Sequence, residues 1–173
     1  MQNRQPSLSI VAMNTAAKLI GRLAIVILLA PFVIPSIVSA ASWNGIEPFK
    51  TRRDDVIKKL GAPIGESSDG VARFTVMGGS VQVSFVNERF VTAKKLKPEL
   101  VGTVLEIVLQ HEKSSDTPES LKLAENKSFV RDDSKGTTIF RNMKEGLIYT
   151  FIEGTLKSTR YTFADDQLNK ARR

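Results

Sequence analysis

The sequence predicts an α+β protein of two tandem units, each a short helix packed on an antiparallel β-meander. Three observations predict it. A helix with marked start and stop signals occupies residues 51–63, "TRRDDVIKKLGAP". Short alternating apolar segments, separated by two-residue breaks, follow it. The same order of cap, apolar stretch and strands returns 66 residues further on.

Residues 1–40 read as a signal peptide ahead of these units. Arg4, Lys18 and Arg22 are the only charges there, and the apolar run "LAIVILLAPFVIPSIV" (Leu23–Val38) follows them. Val38-Ser39-Ala40 before Ala41 has the small-residue spacing of a cleavage site, placed between Ala40 and Ala41. Met13 competes with Met1 as the start. The alternative is a retained anchor, but the run is shorter than the ~20 residues that span a bilayer and holds Pro31 and Pro35. Export is therefore expected, to the periplasm or the extracellular space.

Without the leader, 22 Lys and Arg face 18 Asp and Glu, and Lys170, Arg172 and Arg173 supply most of the excess. The body is close to neutral with both signs interspersed, which argues against nucleic acid as a partner. Membrane contact is expected only through the leader, or weakly through the basic tail 166–173. The chain has no cysteine, so disulfides, a thiol nucleophile and cysteine-bound zinc are excluded. A chain of this size buries roughly two-thirds of its surface and can rely on packing.

In the first unit, residues 41–110, Thr51 is the expected N-cap with Asp54 at the capping-box position. Asp54 and Asp55 sit near the positive end of the helix dipole, Lys58 and Lys59 near the negative end. Val56, Ile57 and Leu60 share one face, and Gly61 with Pro63 ends the helix. So short a helix needs support. The strands "ARFTVM" (Ala72–Met77), "SVQVSFV" (Ser80–Val86) and "RFVTAKKL" (Arg89–Leu96) supply it, turned by Gly78-Gly79 and Asn87-Glu88. A fourth strand covers Thr103–Leu109.

The polar segment 111–120 reads as a linker. In the second unit, residues 121–165, the 66-residue offset sets Thr117 against Thr51, Phe140 against Phe74 and Phe151 against Phe85. Thr117 is a second N-cap with Pro118 at the first helical position and Leu121 and Leu123 behind it. Thr137–Asn142, Leu147–Ile152 and Thr155–Phe163 read as strands, with Glu153-Gly154 as a tight turn.

The residues Thr51, Asp55, Val56, Leu60, Gly61 and Pro63, followed by "VQVSFVNERF", resemble the small envelope module of the SmpA/OmlA (BamE-like) group. Two such units in tandem are similar to the β-lactamase-inhibitor-protein architecture. The resemblance covers residues 46–96, and the second half by analogy. It implies contacts with proteins of the envelope rather than catalysis, and carries over no binding residue. Members of the outer-membrane assembly group are lipoproteins, whereas this chain has no cysteine to lipidate.

Chemistry-bearing groups are sparse. His111 is the only histidine, too few for a typical zinc site, and reads as an exposed residue entering a loop. Asp132-Asp133 and Asp165-Asp166 are adjacent acids, which point apart on extended chain. Gly78-Gly79 precedes a strand and is no phosphate cradle. Lys94, Lys95 and Lys97 read as guards at a strand edge. Neither a cofactor nor a metal is expected.

Leu147–Ile152 is apolar on both faces, so Ile148, Thr150 and Ile152 are a candidate partner surface if uncovered, with Trp43 as a further member. The expected function is a non-enzymatic protein-interaction module of the cell envelope, its partner another envelope or extracellular protein. The alternatives are a carrier of a small apolar ligand between the two sheets, and an enzyme whose carboxylates meet only in the fold.

Overall fold

The computed structural model describes residues 40–173; the expected leader, with Met1 and Met13, lies outside the described residues. The elements are α1 (Arg53–Leu60), β1 (Gly65–Glu66), β2 (Ala72–Val76), β3 (Gly79–Phe85), α2 (Glu88–Lys94), β4 (Val104–His111), β5 (Val130–Ser134), β6 (Thr137–Asn142), β7 (Leu147–Ile152), β8 (Thr155–Thr162) and α3 (Asp165–Ala171). All eight strands form one antiparallel sheet in the order β1-β2-β3-β4-β8-β7-β6-β5.

This corrects the expected fold class. Two separate helix-on-meander units are not present, because β4 and β8 pair along Glu106–Gln110 and Ser158–Thr162 and fuse both runs of strands. Each of these strands would otherwise end its run as an open edge, and pairing them satisfies both rows of backbone groups.

α1 forms largely as its sequence signals. Asp54 and Asp55 lie in its first turn, Lys58 and Lys59 in its last, and Val56 is fully buried. The cap differs: Arg52 is the N-cap without a side-chain bond, and the Thr51 hydroxyl instead accepts the Glu47 N–H at 2.9 Å. Thr51 is held away from the cap because its carbonyl accepts the Val104 N–H, which ties the helix entrance to β4.

The expected strand Arg89–Leu96 is α2. Asn87, taken for half of a hairpin turn, is the N-cap: its Oδ1 accepts the Phe90 N–H at 2.8 Å. Lys95 ends the helix in the left-handed conformation at φ 55°. The β-branched and aromatic content of "RFVTAKKL" favoured a strand, but Val91 and Leu96 are buried against Val86 and Ala171 at one end of the sheet, and that packing decides. The lysines expected to guard a strand edge lie at the C-terminal end of α2 and just beyond it.

The second expected helix is also absent. Its cap does form, with Ser120 N–H donating to the Thr117 hydroxyl at 3.2 Å. Lys122 then takes φ 52° and stops the helix before it starts. What remains is a succession of turns whose Leu123 is buried on Phe140, Phe151 and Leu156.

Residues 166–173, expected as a basic fringe, lie mostly in α3 and are docked. Lys97 N–H donates to the Ala171 carbonyl at 2.9 Å, and Arg173 N–H to the Lys95 carbonyl at 3.0 Å. Gln167 accepts the Ala164 N–H at 3.1 Å and donates to the Pro48 carbonyl at 3.3 Å. Phe49 and Phe163 stack with centroids 4.9 Å apart, with Phe90 tilted against both.

The packing is one-sided. On one face Ile46, Val56, Ala72, Phe74, Val81, Val83, Ile107 and Leu109 make a core beneath α1. The turns around Leu121–Phe129 cover the β6–β8 part of the same face. Among the described residues, no helix is long and apolar enough to cross a membrane.

Candidate functional site: the open face of the sheet

Strand alternation places the remaining side chains on the opposite face. Register aligns two rows there. One runs Arg73, Gln82, Val108, Arg160, Ile148, Arg141 and Val130 across seven strands. The next runs Thr75, Ser80, Gln110, Ser158, Thr150, Ile139 and Asp132. At the usual strand spacing each row is roughly 29 Å long. None of these side chains is fully buried, and Val130 and Ile152 are 68% and 45% exposed.

Of the expected partner surface, Ile148, Thr150 and Ile152 lie together on this open face, Ile152 beside Thr137 of β6. Trp43 does not join them. It is half-buried against the core of the covered face and pairs with Ile46 as an isolated bridge. The expected cleavage residues are attached to the body: Ala40 is buried, and Ala41 N–H donates to the Glu145 carbonyl at 2.7 Å.

Sequence reading missed the charges that lie among the apolar residues of this face. Arg160 pairs with Glu106 at 3.3 Å, Arg141 with Asp132 at 3.0 Å, and Arg73 has no ion pair among the described residues. Burial pushes the Glu106 carboxyl above its ordinary value, and the Arg160 guanidinium only partly offsets this. Alternation along β6 and β8 was the available signal, because Ile139 and Arg141 flank inward Phe140 while Ser158 and Arg160 flank inward Thr159.

The other chemistry-bearing residues do not converge. Asp132 and Asp133 point to opposite faces: Asp132 meets Arg141, and Asp133 meets Arg131 at 2.8 Å and the Thr138 hydroxyl at 2.7 Å. Asp165 and Asp166 are exposed in the first turn of α3. His111 is the last residue of β4 and is half-buried on the covered face, where burial lowers its pKa against an opposing pull from Asp116. Among the described residues, no three His, Asp or Glu side chains form a metal-binding group.

Comparison with protein-family models, with curated proteins and with solved structures finds no match for this chain.

Proposed function

We propose that the protein is an exported, non-enzymatic interaction module of the cell envelope, and that a partner protein docks on the open sheet face. The observation that carries the reading is the register row Arg73, Gln82, Val108, Arg160, Ile148, Arg141 and Val130, in which arginines are interleaved with apolar side chains on an open face. Apolar side chains interleaved with arginines are a composition that interfaces use. Since Arg160 and Arg141 already meet Glu106 and Asp132, it suits a partner that offers apolar side chains with an acid opposite Arg73. The leader-like residues 1–40 and the resemblance of residues 46–96 to a BamE-like module support the envelope location.

The test compares the wild type with Ile148→Asp in affinity capture from an envelope extract, with the processed N-terminus read by mass spectrometry. An N-terminus at Ala41 and one stoichiometric protein lost in Ile148→Asp support the proposal. Capture that is equal for both chains overturns the docking face, and an unprocessed chain retained in the cytoplasm overturns export.

A further inference from the structure

A cleft of about 440 Å³ opens on the covered side, between the C-terminal end of α1 and the β2–β3 hairpin. This is within the size range of small-ligand sites. Trp43, Leu60, Val76 and Leu109 line it with apolar surface. Lys59 and His111 add a cation and an imidazole. No Asp or Glu lines the cleft, and Lys59 has no ion pair among the described residues. Its ammonium lies over the Asn44-Gly45 turn, where a Cβ built on Gly45 would stand 3.0 Å from Nζ. Met77 is fully exposed at the rim and adds apolar surface there.

We infer that this cleft binds a small apolar monocarboxylate, its hydrocarbon part against Trp43, Leu60 and Leu109 and its carboxylate on Lys59. Asn44 and Gln110 add polar surface, but no acid is present to pair with a cation, and the apolar side favours a ligand with a greasy body. The lone ammonium sets the sign of the head group. Nζ can donate a charge-assisted hydrogen bond to either head group, but only a carboxylate adds the opposite charge, so it is favoured over an alcohol of equal length. His111 Nε2 is already 2.9 Å from the Thr159 hydroxyl, so the imidazole serves as a fixed polar wall.

Trp43 is the only tryptophan in the chain, so its fluorescence reports the cleft directly. The full chain is titrated with octanoate, octan-1-ol and octylamine at neutral pH. The expected result is a saturable emission change in which octanoate binds more tightly than octan-1-ol, by a margin that shrinks with added salt. Lys59→Gln, an exposed substitution, should abolish that preference. No saturable response to octanoate overturns the inference, as does an equal affinity for octan-1-ol or octylamine, or an undiminished octanoate affinity in Lys59→Gln. Ile148→Asp lies on the opposite face and should leave the titration unchanged, so this test and the docking test fail independently.

Discussion

The imidazole Nε2 of His111, the last residue of β4, lies 2.9 Å from the hydroxyl of Thr159 on β8. The contact spans the seam where the two runs of strands become one sheet. Burial holds the His111 pKa below its ordinary 6.5, with Asp116 pulling the other way. As pH falls through the unfolded value, the unfolded chain takes up a proton that the folded chain refuses, so stability is lost until the lower folded value is passed. Urea unfolding at about pH 7.5 and about pH 5 should therefore show a larger acid loss for wild type than for His111→Gln. Equal losses would remove His111 as the cause.

Gly136 and Gly146 both have positive φ, at 80° and 69°, but their surroundings differ. A Cβ at Gly136 meets nothing within 4 Å, whereas one at Gly146 would collide with the Thr162 carbonyl oxygen. Gly136→Ala should cost about 1 kcal/mol, the ordinary strain of a left-handed alanine. Gly146→Ala should cost clearly more, because backbone of β8 must move. Chemical denaturation of both variants checks the order, and a reversed order would contradict the packing of β8 on this turn.

The two ends of α2 respond differently to substitution. Asn87→Ala removes the bond to Phe90 N–H and should destabilise by about 1 kcal/mol. Lys95→Gly relieves a left-handed side-chain-bearing residue at φ 55° and should be neutral or stabilising by up to about 1 kcal/mol. In a strand, glycine at 95 would instead weaken the fold. Thermal unfolding of the two variants decides between them.

Within the turns at residues 118–125, Leu123 covers the second half of the core. Leu123 is 5% exposed, and beneath it Phe140 and Phe151 meet edge to face with centroids 6.0 Å apart. Leu123→Ala should cost about 2–5 kcal/mol and Phe151→Ala about 3–5 kcal/mol. A change below about 0.5 kcal/mol for Leu123→Ala, typical of surface sites, would mean that these turns are not a lid on the core.

Local signals were legible wherever the deciding interactions were local. The spans Thr137–Asn142 and Leu147–Ile152 match the strands found, since period-two alternation and the Glu153-Gly154 turn act within a few residues. The punctuation of α1 worked for the same reason. Asn87 was ambiguous because asparagine serves both as turn residue and as helix cap, and only Val91 and Leu96 packing on Val86 and Ala171 resolves the choice. The candidate surface was half legible: alternation grouped Ile148, Thr150 and Ile152, but it could not show that Trp43 belongs to the other face.

By itself, the sequence determined the order of most strands, the first helix, the absence of thiol chemistry and the two-faced character of β7. Tertiary structure decided that β4 and β8 pair, that Leu123 replaces a second helix, and that the basic C-terminus docks beside α2. The physical reason is separation along the chain. Glu106 and Thr162, or Lys97 and Ala171, are joined by backbone bonds across more than fifty residues, and no local propensity records which distant edge a strand will satisfy.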